Sequence, residues 1–124
     1  MQFSSRRFAD VVVARPEGKI DHPNAHRLEE ALAPTLVDTT IAALICDFSD
    51  VGYISSMGLR VLMVAAKKLR ADGNRIAVAS LQPVVEEIFS IARFNHVLEV
   101  FPSVRDALQA LSEPALRAYD ASRP

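Results

Sequence analysis

Three short apolar runs predict buried β-strands, at residues 11–14, 42–46 and 75–79. All three are rich in β-prone or small apolar residues, and a glycine-asparagine turn pair precedes the third. A weaker strand signal at residues 3–8 is followed almost at once by the first run, which predicts a hairpin. The chain is therefore expected to contain a β-sheet.

The stretches between and after these runs have apolar residues three or four positions apart, the spacing of an amphipathic helix. They predict four helices, with apolar positions at Leu28, Ala31, Leu32 and Leu36; Leu59, Leu62, Ala66 and Leu69; Val84, Val85, Ile88 and Ile91; and Val104, Ala107, Leu108 and Leu111. Strands that alternate with helices predict an α/β fold, in which helices cover a sheet and crossovers join parallel neighbours.

Individual residues mark the predicted helix ends. Pro83 suits the first turn of the third helix, Ser103 is an N-cap candidate for the fourth, and Asn95 is a C-cap candidate for the third. Pro34 lies inside the first helical pattern, where a proline costs about 3 kcal/mol. We therefore expect the first helix to break near Ala33 or to kink at the proline.

The length of the chain, 124 residues, is close to the usual size of one domain. Half of the residues are apolar, which is enough to build a core. We expect residues 1–112 to form a single domain. Residues 113–124 are polar and contain two prolines, so we expect them to form a frayed tail.

The balance of charge excludes several kinds of partner. The 14 Lys and Arg residues nearly match the 15 Asp and Glu residues, so no net field favours a nucleic acid or an anionic membrane. No apolar run approaches about 20 residues, and the N-terminus lacks the apolar stretch of a signal peptide, so we expect a cytoplasmic protein. A single cysteine, Cys46, rules out an internal disulfide and is expected to be a small buried hydrophobe.

Few residues suit an enzyme. His22 and His26 are four positions apart, but proline stands where the HExxH zinc motif needs its glutamate. The sequence has neither a G-x-S-x-G elbow nor a phosphate-binding G-x-x-x-x-G-K-[ST] loop. His96, near the end of the third helix, is expected to be a capping or surface residue. A hydrolase using Ser56 with His22 would lack a third residue to orient the histidine, so neither catalysis nor a metal or cofactor is expected.

The segment at residues 47–60, between the second strand and the second helix, is the most informative. Ser55 and Ser56 precede an apolar helical pattern, a position where serines usually cap the helix and stabilise it by about 1 kcal/mol. Gly58 follows in the first turn, where glycine costs roughly 0.5–1 kcal/mol relative to alanine. We therefore expect another backbone to approach the helix at Gly58.

This segment resembles the STAS domains, and among them the bacterial anti-sigma factor antagonists. In that family a strand leads through an acidic residue, a phosphorylated serine, a serine or threonine and a glycine into a helix. In this sequence Ser55 falls at the acidic position, Ser56 at the phosphorylated serine, Met57 at the next hydroxyl position and Gly58 at the glycine. The chain thus departs from the pattern at Ser55 and Met57. Three interpretations stay open: phosphorylation of Ser56, phosphorylation of Ser55, or capping alone.

Two further segments carry the same resemblance. Residues 18–22 are similar to the family's G-x-[IL]-D turn, whose aspartate, Asp21 in this sequence, lies beside the phosphorylated serine. A plain turn aspartate is the alternative for Asp21. Residues 82–89 resemble the family's third helix, so the likeness covers roughly residues 3 to 112.

The second helix carries apolar residues on two sides when its positions are placed 100° apart. Leu59, Leu62, Ala66 and Leu69 share the side expected to face the sheet. The opposite side carries cations and apolar residues together, namely Met57, Arg60, Val64, Lys67 and Lys68, with Val61 and Met63 at its edges. An apolar patch rimmed by cations fits docking onto another protein, and scattered surface residues are the alternative. We expect Met57, Arg60, Val64 and Lys67 to bind a partner.

The resemblance implies a fold and a function. The fold is a mixed sheet of four or five strands with about four helices packed mainly on one face. The function that it implies is a non-catalytic switch: the unphosphorylated protein would bind an anti-sigma factor and so free a sigma factor. The anti-sigma factor would be a serine kinase of the histidine-kinase-like ATPase fold, and a metal-dependent phosphatase would reverse the phosphorylation. The alternative is a regulatory or ligand-sensing subunit of a transporter or signalling assembly, in which Ser56 is never phosphorylated.

Overall fold

A computed structural model describes residues 1–123 of the chain. These residues form six strands: β1 (Gln2–Phe8), β2 (Val11–Ile20), β3 (Ala43–Asp47), β4 (Val51–Ile54), β5 (Arg75–Ala79) and β6 (Glu99–Phe101). They also form five α-helices: α1 (Ala25–Leu36), α2 (Ser56–Ala71), α3 (Pro83–Ile91), α4 (Val104–Leu111) and α5 (Glu113–Ala121). A short 3₁₀ turn (Phe94–His96) lies between α3 and β6.

The sheet is mixed, which confirms the predicted α/β class. Its strand order is β1-β2-β3-β5-β6, with β1 antiparallel to β2 and every other neighbouring pair parallel. β4 pairs in parallel with the end of β2, through Gly18, Lys19 and Ile20. The sequence pattern did not predict β4 or β6, because four and three residues are too few to show a periodicity.

Helices cover both faces of the sheet. Val12, Leu44 and Val78 point to the face that packs against α1, α2 and α3. Their chain neighbours point to the opposite face, which packs against α4 and α5, because side chains alternate along a strand. Three helices lie on one face and two on the other, so the helices are divided more evenly than the family resemblance implied.

Cys46 is fully buried on the face covered by α1, α2 and α3, as predicted. Burial disfavours its thiolate and raises the pKa of the thiol to about 12, and the neighbouring carboxylate of Asp47 acts in the same direction. The thiol therefore stays protonated and serves as a packing group.

The prediction of a frayed tail is wrong for Glu113–Ala121, which forms α5. Ser112 caps this helix, and Ala115 is fully buried against the sheet. The ring of Tyr119 packs edge-to-face on Phe8, with 5.2 Å between ring centroids. The helix forms because its few apolar residues share one side, and that side covers the part of the sheet that α4 does not cover. Residue 124 lies outside the described residues.

The predicted helix ends were partly right. Pro83 begins α3, and the Ser103 hydroxyl accepts a hydrogen bond from the backbone N–H of Asp106, so both predictions are confirmed. Of the two alternatives for Pro34, the break near Ala33 is wrong: α1 continues through the proline to Leu36, although Pro34 has no N–H to donate to the carbonyl of Glu30.

The predicted C-cap at Asn95 is also wrong. Asn95 lies within the 3₁₀ turn, and α3 already ends at Ile91. The left-handed backbone conformation that often follows a helix belongs instead to Arg93, with φ 55°.

Candidate functional site

The two segments with family-like motifs meet where β2 and β4 end. Ile20 and Ile54 are paired in the parallel register, and the backbone N–H of Ser55 donates to the carbonyl of Ile20 at 2.7 Å. Asp21 and Ser56 are therefore carried by neighbouring backbone segments, although 35 positions separate them in the sequence.

Asp21 shapes the turn that leads into α1. Its carboxylate accepts a hydrogen bond from the backbone N–H of Asn24 at 3.0 Å, and the Asn24 side chain accepts one from the N–H of Asp21 at 2.9 Å. The amide of Asn24 also donates to the carbonyl of Lys19. This reciprocal arrangement fixes the loop beside Ser55. The sequence reasoning missed Asn24, although an aspartate followed three positions later by asparagine before a helix was a usable signal.

The two serines have different structural roles. Ser55 is the N-cap of α2, is only 8% exposed, and its hydroxyl accepts a hydrogen bond from the backbone N–H of Gly58 at 3.2 Å. Ser56 is the first residue of the helix and is exposed. Within residues 1–123 no side-chain hydrogen bond engages the Ser56 hydroxyl. The capping role therefore belongs to Ser55, and Ser56 presents a free hydroxyl to solvent.

Gly58 lets the first turn of α2 press against the ends of β2 and β4. A Cβ atom at this position would lie 2.7 Å from Cγ1 of Ile54 and 2.8 Å from Cγ2 of Ile20. The close approach that the sequence predicted is real, but the prediction that another backbone makes it is wrong. Two buried isoleucine side chains make it instead.

The outer side of α2 is exposed, as its pattern predicted. Val64 is 51% exposed and Met57 is 38% exposed, so both present apolar surface to solvent. Arg60 and Lys67 are exposed on the same side and belong to no ion pair within residues 1–123. Of the residues expected to face the sheet, only Leu59 is half-buried, whereas Leu62, Ala66 and Leu69 are buried. We call Met57, Arg60, Val64 and Lys67 the outer face of α2.

The histidines take no part in this arrangement of serines and Asp21. His22, His26 and His96 are exposed. Across residues 1–123, no group of three or more His, Cys, Asp or Glu side chains is placed to hold a metal ion. No helix in the described part of the chain combines the length and the apolar character needed to cross a membrane.

The sequence matches the family model of the STAS domain over residues 2–107, which include β1 to β6, the two serines and the Asp21 turn. The chain belongs to the STAS domain family. It is similar to BtrV of Bordetella bronchiseptica, whose name describes it as an anti-sigma factor antagonist. The two sequences are 33% identical over 118 residues, which span 94% of this chain and 98% of BtrV.

Solved structures of other proteins have the same fold. A crystal structure of an anti-sigma factor antagonist from Mycobacterium paratuberculosis superposes with a TM-score of 0.79 at 25% identity, covering 89% of this chain and 94% of the other. A part of the murine anion transporter Slc26a9 gives a TM-score of 0.73 at 23% identity. That match covers 86% of this chain but 18% of the transporter, and it shows a shared fold alone.

Proposed function

We propose that this STAS domain is an anti-sigma factor antagonist and that phosphorylation of Ser56 switches its partner binding. The observation that carries the proposal is that the two serines have different structural roles. Ser55 is buried and occupied as the helix cap, whereas Ser56 is exposed at the start of α2. A kinase could therefore reach the Ser56 hydroxyl without breaking the cap.

The position of Ser56 suits a switch that leaves the fold intact. A phosphoserine carries about −1.5 to −2 charges at pH 7, and the N-terminal end of a helix favours an anion by roughly 0.3–1 kcal/mol. The isolated domain should therefore tolerate the phosphate. In a complex the same phosphate would be desolvated beside the carboxylate of Asp21, whose loop is tied to Ser55 through Ile20. Repulsion at the interface then outweighs the favourable helix end.

The outer face of α2 is the proposed docking surface for the partner. Met57 and Val64 offer apolar contact area, and Arg60 and Lys67 offer cations without internal partners in the described chain. Apolar groups rimmed by charge are typical of protein interfaces. The surface starts at Met57, the residue next to Ser56, so a phosphate would lie at its edge.

The proposed partner is an anti-sigma factor of the histidine-kinase-like ATPase fold that is also the serine kinase for Ser56. A metal-dependent serine phosphatase would restore the binding form. The antagonist itself needs no cofactor in this scheme. Support for the antagonist role comes from the similarity to BtrV, which extends over nearly the whole of both chains.

The experiment that tests this proposal is capture from the native cell, followed by intact-mass measurement. Tagged wild-type protein should retain a protein of the ATPase fold and should be found partly shifted by the mass of one phosphate. Ser56→Ala should abolish the mass shift and keep the partner. Ser5→Ala, which removes another exposed serine, is the matched control and should leave both unchanged.

Two results would contradict the proposal. A phosphate that persists in Ser56→Ala would place the modification elsewhere. Partner capture with no phosphate under any growth condition would favour the alternative, a constitutive STAS subunit of a transporter or signalling assembly.

A further inference from the structure

Helix α3 covers the sheet at β5 but leaves β6 partly exposed. Val78 on β5 and Val100 on β6 are register partners and therefore point to the same face. Val78 is completely buried, whereas Val100 is 38% exposed. The space between α3 and β6 is a cavity of about 570 Å³, lined by Leu81, Glu86, Phe89, Ser90, Val100 and Phe101 among others. This volume lies within the range of natural ligand sites.

The strand beside this cavity has an open edge. β6 is the last strand of the sheet and, within residues 1–123, pairs only with β5. An edge strand has backbone N–H and C=O groups that can pair with a further strand. Besides the pairing with β5, two contacts hold β6 in place: Arg75 on β5 makes a two-pronged ion pair with Glu99, and the N–H of Ser80 donates to the carbonyl of Phe101. The edge is therefore preformed, which lowers the entropic cost of adding a strand.

The charge at the cavity favours a basic occupant. The carboxylate of Glu86 lines the cavity, is exposed, and belongs to no ion pair among residues 1–123. The remaining polar groups of the lining, such as Ser90, are neutral. A lysine or arginine of a bound chain would meet an unpaired carboxylate at this point.

We propose that this groove binds an extended peptide segment of a partner protein. The segment pairs with the open edge of β6, inserts an apolar side chain against Phe89 and Val100, and places a basic side chain at Glu86. Strand addition is a common mode of peptide recognition, in which backbone bonds supply affinity and side-chain pockets supply specificity. The groove shares no residue with the outer face of α2, so the inference goes beyond the proposed antagonist role.

The test is a titration of the isotope-labelled full chain, followed by the chemical shifts of its backbone amides. The probe is a seven-residue peptide with a central leucine, lysines two positions to either side of it, and threonines at the other four positions. Wild-type protein should show shift changes confined to residues 99–101 and to α3. Glu86→Gln should weaken binding about threefold, the effect of losing one exposed ion pair. Glu87→Gln changes a neighbouring exposed carboxylate outside the cavity lining and should leave binding unchanged.

Further measurements can overturn the inference. Val100→Lys should remove binding without unfolding the protein, because the native side chain is already partly exposed. A peptide with methylated backbone amides should not bind, since it cannot add a strand. Any of four outcomes would refute the proposal. The first two are equal binding of the methylated and plain peptides, and equal affinity of wild type and Glu86→Gln for the peptide. The other two are shift changes located on α2, and no shift changes at millimolar peptide. None of these outcomes depends on Ser56.

Discussion

The backbone N–H of Ser55 donates to the carbonyl of Ile20, and this bond joins the start of α2 to the turn that contains Asp21. The bond continues the parallel pairing of β2 and β4 by one residue. It also leaves Ser55 with the extended backbone, φ −83° and ψ 170°, that a helix N-cap requires. The fold of the sheet thereby determines which of the two serines is the cap and which is exposed.

The first prediction concerns the stability of the two serine variants. Ser55→Ala should lower the free energy of unfolding by about 1 kcal/mol, because it leaves the N–H of Gly58 without its side-chain acceptor. Ser56→Ala should change it by less than about 0.5 kcal/mol, since Ser56 is exposed and has no such bond. Urea denaturation of both variants measures the difference. Equal losses would mean that the capping role is shared.

The second prediction concerns Gly58. Alanine has the higher helix propensity by up to about 1 kcal/mol, yet Gly58→Ala should destabilise the protein by about 1–2 kcal/mol. The added methyl group would overlap with Ile54 and Ile20. Gly52→Ala is the matched control, because its methyl group would meet only the side chain of Gln82 at an ordinary 3.8 Å. Thermal melts of both variants decide the point, and a stabilised Gly58→Ala would disprove the close packing.

The third prediction tests the outer face of α2. Val64→Asp should weaken binding of the captured partner by well over 1 kcal/mol and change the melting temperature little, because Val64 is exposed. Val37→Asp, at a still more exposed valine after α1, should leave partner binding as in wild type. Calorimetric titration and melting curves supply the two readouts. Loss of fold and binding together in Val64→Asp would mean that Val64 supports the core.

The fourth prediction concerns the charge at Ser56. A negative charge at position 56 would repel the carboxylate of Asp21 in the complex. Two unit charges about 4–8 Å apart repel by about 2–4 kcal/mol at an effective dielectric of 20, which corresponds to a loss of affinity of roughly 30- to 1,000-fold. Ser56→Asp should therefore bind the partner poorly and melt close to wild type, whereas Ser56→Ala should bind constitutively. Calorimetry with the captured partner measures both.

The protein phosphorylated on Ser56 is the stricter version of this test, because one carboxylate carries less charge than a phosphate. If the phosphorylated form bound the partner as wild type does, Ser56 would be only the first residue of α2 and would have no switching role.

The fifth prediction tests the order of α5. Tyr119→Ala should lower the free energy of unfolding by about 1–3 kcal/mol, because it removes an edge-to-face contact with Phe8 and its buried area. Tyr119→Phe keeps the ring and loses only the exposed hydrogen bond from Arg123, so it should cost less than about 0.5 kcal/mol. Denaturant titrations of the pair give the comparison. A neutral Tyr119→Ala would support the frayed tail that the sequence suggested.

The sequence by itself determined the features that depend on local patterns. The apolar runs located β2, β3 and β5, the helical spacing located α1 to α4, and Ser103 identified a cap through its own position in the chain. The exposure of Val64 also followed from counting around one helix. These properties are local, because a continuous apolar run indicates a buried strand and an apolar residue every three to four positions indicates the buried side of a helix.

Only the tertiary structure decided the features that depend on residues distant in sequence. The separate roles of Ser55 and Ser56 depend on a bond to Ile20, and the reason for glycine at position 58 lies in two isoleucines, one of them 38 positions away. β4 and β6 are too short to have a pattern and exist because longer strands offer them an edge. The last helix, α5, is ordered because it completes the cover of the sheet around Phe8. In each case burial or pairing with a distant segment supplies the free energy that the local sequence lacks.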